Sequence, residues 1–148
     1  MVTVANLIEA AALAAQYPAI ISAGPRRNET QWSHPNHYRR TFLDTLTGPY
    51  KPTQDDVEAL LHFAAKQPGK LLVHCHKGES RSTAIAIGIL MQRGATLEHA
   101  TQQLQAAHKP ARPFTPNLLI LTHLEQVLGV AGIRARFDTT TIRTTRTW

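Results

Sequence analysis

The 148-residue chain has a single cysteine, Cys75, so it can form neither an internal disulfide nor a multi-cysteine zinc or iron–sulfur site. It also lacks an apolar run long enough to span a membrane. The longest uncharged stretch near the start, residues 10–25, is interrupted by Gln16, Tyr17, Pro18 and Ser22. No Lys or Arg precedes that stretch, so the basic region of a signal peptide is missing and a cytoplasmic location is expected. No internal repeat is visible. Acidic residues are few, ten against sixteen Lys and Arg, which leaves a net charge of +6. That surplus favours anionic partners without choosing among phosphate esters, nucleic acid and a lipid surface. What is present, 43% hydrophobic residues in a chain of this length, suits one globular domain.

Helical and extended patterns alternate along the chain. Thr3 is placed to cap a helix over residues 5–16, with Leu7, Ile8, Ala11, Ala12 and Ala15 on one face and Pro18 ending it. Residues 19–23 form a short apolar run and 38–43 a weaker strand candidate, with a polar loop over 24–36. Thr53 and Asp56 fit a capping arrangement for a helix over 54–67, stopped by Pro68-Gly69. A strand over 70–74 and a helix over 81–92 follow; the helix is apolar on every side from Ala84 to Met91, as for a helix buried within a domain. Helices over 96–107 and 116–128 complete the set, the latter with Pro116 in its first turn and Gly129 past its end. Strands alternating with helices predict a single three-layer α/β domain with a small, mostly parallel sheet.

Composition shifts once, at Ile133. Residues 133–148 hold four Arg, six Thr and one acid, Asp138, and so carry +3 of the +6 (four minus one). This divides the chain into a main domain over 1–132 and a basic tail over 133–148. The tail is either a frayed terminus or an arm for an anionic partner such as nucleic acid or phosphoinositide, with Trp148 as a stacking group.

The chemistry is concentrated in His74-Cys75-His76-Lys77-Gly78-Glu79-Ser80-Arg81-Ser82. The segment joins an apolar strand to a buried helix, so the five residues between Cys75 and Arg81 can wrap into a cradle at the positive end of the helix dipole. Gly78 permits the positive φ a tight cradle needs, and Arg81 offers a planar fork for two phosphate oxygens. The same field favours the thiolate of Cys75, an in-line nucleophile for a phosphoryl group held in the loop. A metal reading of His74, Cys75 and His76 is poor, because neighbours on a strand point to opposite faces. No cofactor is implied.

This segment resembles the His-Cys-x5-Arg-Ser signature of the protein tyrosine phosphatase superfamily, and the chain is similar to compact, dual-specificity-type bacterial members of it. The resemblance extends to the Ser-Arg-Ser-Thr turn and to Pro116-Asn117, Leu128-Gly129 and Gly132. It implies hydrolysis of phosphate monoesters in proteins, phosphotyrosine above all and phosphoserine or phosphothreonine as well, through a phosphocysteine. By the same resemblance, residues 76–81 bind phosphate, the Ser82 hydroxyl donates to the Cys75 sulfur, and His74 supports the loop from behind. Lys77 and Glu79 depart from the usual small or apolar residues at their positions.

The resemblance also asks for an Asp about thirty residues before the cysteine as proton donor. Asp44, 31 residues before Cys75, fits; Asp55 and Asp56 are rivals better explained by the dipole of the helix they begin. Trp32, His34, His37 and Tyr38 form either a wall of the cleft or plain packing. Two other functions remain open: a phosphatase for RNA 5′-phosphate or phosphoinositide, and a non-catalytic phosphate-binding module.

Overall fold

Four short strands, all but the edge strand HYRRT rich in β-branched and aliphatic residues, make one parallel sheet in the computed structural model, which describes residues 1–139. The strands are β1 (Val2–Ala5), β2 (Ile20–Gly24), β3 (His37–Thr41) and β4 (Leu71–His74), in the order β1-β4-β2-β3. The helices are α1 (Leu7–Leu13), α2 (Gln54–Ala65), α3 (Arg81–Gln92), α4 (Leu97–Ala107) and α5 (Leu118–Leu128). All four residues of β4 are buried, as expected for an inner strand covered on both faces.

The two-residue period of the strands sorts side chains into two layers. Val2, Ile21, Leu71 and Val73 face the larger core, made with α2, α3, α4 and α5. Ala5, Ile20 and Leu72 face the opposite side, against Ala10, Ala14 and partly buried Leu13, Tyr17 and Trp32. From Arg81 to Leu90 every residue of α3 is buried, which matches its all-round apolar sequence. The expected three-layer α/β domain with a parallel sheet is observed.

One expected element is corrected. Residues 2–5 form a strand, and Thr3 caps nothing; the helix begins after Asn6, whose side chain accepts from the Glu9 amide at 2.8 Å while Glu9 accepts from the Asn6 amide at 2.9 Å. Val2, Thr3 and Val4 are good strand formers, and Asn6-x-x-Glu9 is a capping box. The helix face shifts accordingly: Ile8 is 82% exposed, whereas Ala10 and Ala14 point inward. Elsewhere the boundaries move by a few residues. Thr53 and Asp56 make the anticipated capping box, and Gly129 takes the left-handed cap with φ 68°.

The composition shift at Ile133 does not mark the end of the packed body. Ile133 is fully buried, Phe137 packs against the main core, and Arg134 is tied to α5 through the Glu125 carboxylate (2.9 Å) and the Thr122 hydroxyl (3.1 Å). Arg143, Arg146 and Trp148 lie outside the described residues.

Gly88 sets the distance between α3 and α5: a Cβ there would strike the fully buried Leu124 side chain. Gly88→Ala is expected to lower stability by about 1–3 kcal/mol, the usual cost of overpacking, despite alanine's better helix propensity. Urea unfolding of the two proteins measures this; an equal or higher midpoint in the variant would contradict the packing argument.

Candidate active site

The segment from His74 to Arg81 links the C-terminal end of β4 to the first turn of α3. Its carbonyls are bound to the scaffold around it. The His76 carbonyl accepts from the Leu7 amide at 3.1 Å, the Glu79 carbonyl from the Thr115 amide at 3.0 Å, and the Ser80 carbonyl from the Asn117 amide at 3.1 Å. In a trans peptide the following N–H points the opposite way, so the amides of Lys77, Ser80 and Arg81 turn toward the inside of the loop. Gly78 has φ 69°, and a Cβ there would press on the Ala5 carbonyl and the Asn6 nitrogen at 3.0 Å. The positive φ and the close approach to α1 both call for glycine.

Cys75 is 2% exposed at the base of this loop, with its Sγ 3.0 Å from the Ser82 Oγ. Arg81 closes the loop. Its guanidinium donates to the Phe42 carbonyl at 2.7 Å, while Nε is buried without a partner among the described residues. Gly24, at φ 113° on the end of β2, leaves room for it; a Cβ there would collide with the guanidinium. His74, Cys75 and His76 diverge, because β4 ends at His74 and the chain turns into the loop. His74 turns into the interior, Cys75 toward Ser82, and His76 outward to the Glu29 carboxylate at 2.9 Å. Lys77 is exposed and Glu79 half-buried, and both line the same cleft as Cys75.

Asp44 lies across the cleft from the loop. Its Oδ1 accepts from the Ser80 hydroxyl at 2.7 Å and from the Asn117 amide nitrogen at 2.9 Å. Asn117 fills both ends of its amide: Oδ1 caps α5 through the Ile120 amide, and Nδ2 also reaches the Thr45 carbonyl at 3.3 Å. The rival Asp56 is engaged with Arg40 at 2.9 Å and with its own cap at Thr53, and Asp55 faces Tyr38 and Arg40 on another surface. Nothing in the sequence linked Asn117 to Asp44, 73 positions away; Asn117 falls inside the expected helix over 116–128, which instead begins at Leu118 with Asn117 as its cap.

Behind the loop runs a buried polar chain that sequence reasoning missed apart from His74. Burial holds His74 down at about 4 and His37 down at about 3, with Arg39 and neighbouring histidines pushing the same way. Both rings are therefore neutral at pH 7. His74 Nδ1 lies 3.2 Å from the Cys75 carbonyl, which can only accept, so Nδ1 carries the hydrogen. His74 Nε2 then accepts the Ser22 hydroxyl at 2.6 Å, and the Ser22 oxygen accepts from His37 Nε2 at 2.7 Å. His37 Nδ1 is left as a buried lone pair without a partner among the described residues. Trp32 stacks on His37 at 5.4 Å, His34 bonds the Tyr17 carbonyl, and Tyr38 stacks on Phe63. These residues are packing, and none of them lines the cleft with Cys75.

The fold is shared with solved dual-specificity phosphatases: human DUSP28 superposes with a TM-score of 0.63 at 22% identity, covering 85% of this chain and 90% of that one. In sequence the chain is similar to dual-specificity phosphatases. It is 33% identical over 78 residues to dual specificity protein phosphatase 1 of Arabidopsis thaliana and 34% identical over 79 residues to mouse dual specificity phosphatase 28. Those stretches cover 52% and 53% of this chain but only 39% and 48% of the two relatives. No family model matches the chain. Among the described residues no helix is long and apolar enough to cross a membrane.

A histidine held below its ordinary 6.5 must gain a proton on unfolding in acid, so stability is complete above about 6.5 and falls as pH drops toward 4. His37→Gln, which keeps an N–H for Ser22, is expected to flatten this fall. Urea midpoints at several pH values between 7 and 4 measure it; parallel curves for the two proteins would show that His37 does not titrate this way.

Proposed function

We propose that the chain is a phosphatase that cleaves phosphate monoesters in proteins, phosphotyrosine foremost and phosphoserine or phosphothreonine as well, through a phosphocysteine. The observation that carries this reading is the meeting of Cys75, Ser82 and Arg81 in one loop, with Asp44 tied to the same loop through Ser80. The Cys75 thiolate attacks phosphorus, an S–P bond forms and the ester P–O bond breaks. Asp44 gives its proton to the departing oxygen. Oδ2 is the oxygen available for this transfer, because Oδ1 already accepts from Ser80 and Asn117. Water then attacks phosphorus and passes a proton to Asp44, the S–P bond breaks, and Ser82 donates to the returning thiolate. Ester and water become alcohol and phosphate.

Residues 76–81 supply inward amides and the Arg81 fork for the phosphate, whose charge is greatest as the bonds exchange. The Ser22–His74 chain keeps the Cys75 carbonyl, and with it the start of the loop, in place. The available nucleophile and acid favour turnover over a non-catalytic phosphate-binding module.

Hydrolysis of an aryl phosphate in the presence of EDTA, inhibited by vanadate and abolished in Cys75→Ser, is the expected result. Binding of vanadate without turnover by the wild type would instead support the binding module. Asp44→Asn is expected to slow hydrolysis of phenyl phosphate by roughly 10²–10⁴ while largely sparing an activated aryl ester, since only the poor leaving group needs the proton. Equal losses on both esters would remove Asp44 from the role of acid.

A further inference from the structure

The cleft above Cys75 has a volume of about 830 Å³, and its wall away from the loop comes from two later segments, around Phe114 and around Arg136. Phe114 and Phe137 lie with ring centroids 6.3 Å apart and planes inclined at 48°. The Arg136 guanidinium carbon sits 5.1 Å from the centre of the Phe137 ring. The His108 ring meets Phe114 edge-on at 5.3 Å, and the Thr115 amide ties this wall to the phosphate loop through the Glu79 carbonyl. The aromatic and cationic groups are thus built into the scaffold beside the phosphate position.

The charges lining the cleft separate by task. Arg81 belongs to the phosphate, and Glu79 is near enough to Arg112 to raise its affinity for a proton. Arg136 is left at the rim, with its Nε and Nη2 each 3.1 Å from an oxygen of the Glu98 carboxylate on α4. Both side chains are open to solvent, so this pair is weak and exchangeable. It shows that the guanidinium is set to take a carboxylate in a forked grip, and it identifies the group an incoming acid must displace.

We infer that Phe114, Phe137 and Arg136 form a subsite for the part of the substrate flanking the scissile phosphate, suited to a phosphotyrosyl ring followed or preceded by an acidic residue. The aromatic pair offers edges and faces to an aryl ester, and Arg136 takes the neighbouring carboxylate. A phosphoinositide headgroup would leave the aromatic pair unused. Glu98 competes with substrate for the same guanidinium. This inference rests on the phosphatase reading above and adds the substrate class to it.

The test compares kcat/KM for a phosphotyrosyl peptide flanked by Asp and Glu with that for the same peptide flanked by Ala. Arg136→Ala is expected to lower the acidic-to-neutral ratio about five- to tenfold, as loss of a charge-assisted contact should. Glu98→Gln is expected to raise the ratio about twofold by releasing Arg136 from an exposed pair. Opposite shifts are not produced by general damage to the fold, and if Arg136→Ala fails to fold, the direction of the Glu98→Gln shift decides. A ratio unchanged in both variants overturns the inference. So does a loss in Arg136→Ala confined to a water-soluble short-chain phosphoinositide, which would assign the rim to a lipid headgroup. Absence of aryl phosphate turnover by the wild type, by contrast, removes the phosphatase reading itself and the subsite with it.

Discussion

The hydrogen bond from the Arg81 guanidinium to the Phe42 carbonyl is the contact on which the site depends. It joins the loop after β4, which holds Cys75, to the chain after β3, which leads to Asp44. Arg81 is 7% exposed and sits at the start of a helix whose first ten residues are buried, so its base cannot drift. Phe42 is 3% exposed, and its amide is bonded to the Gly24 carbonyl at 3.2 Å, so the acceptor is fixed as well. Gly24 makes the contact possible by withholding a Cβ, and its φ of 113° is available to few other residues. A strand end, a glycine and a carbonyl thus orient a fork whose charge would otherwise be costly to bury.

Electrostatic design differs on the two sides of Cys75. Toward the cleft the loop is ringed with charge, from Arg81, Lys77, Glu79 and Asp44. Behind it the supporting residues, Ser22, His74 and His37, are polar but neutral, and their hydrogens have one consistent order. A charged histidine behind the loop would add a buried cation that the interior cannot solvate. With these histidines neutral, the positive field on the sulfur comes from Arg81, Arg112, the inward amides and the α3 terminus.

Much of this was legible in the sequence, for identifiable reasons. Cys75, Arg81 and Ser82 lie within eight consecutive residues, so their meeting is decided by local geometry: a buried strand, a short loop containing Gly78, and a helix apolar on every side. The parallel sheet followed from alternating apolar runs. The first strand was missed because its four residues run directly into a capped helix, and a periodicity window centred on the alanines absorbed both. The division at Ile133 marked a change in composition, whereas packing is decided by which single residues are apolar; Ile133 and Phe137 suffice to bind that segment to the core. Contacts such as Ser22 with His37 and Asn117 with Asp44 join residues far apart in the chain, and no local pattern announces them.

Under the proposed mechanism the nucleophile and the acid are held with different strength, and this suits the order of chemical events. Cys75, Ser82 and the base of Arg81 are buried and fixed by secondary structure on both sides. Asp44 is exposed, follows the end of β3 by three residues, and is retained by two side-chain hydrogen bonds to one oxygen. Segments with few buried contacts and solvent-exposed polar ties open at low cost. A nucleophile must be aimed before substrate arrives, because misplacing it by even an ångström lowers the rate. An acid that must reach a leaving oxygen on substrates of different depth gains from being able to leave Ser80 and Asn117. Asn117 limits that excursion: it also caps α5 and holds the Thr45 carbonyl, so the acid loop can move while staying referenced to the same helix that packs beneath Gly88.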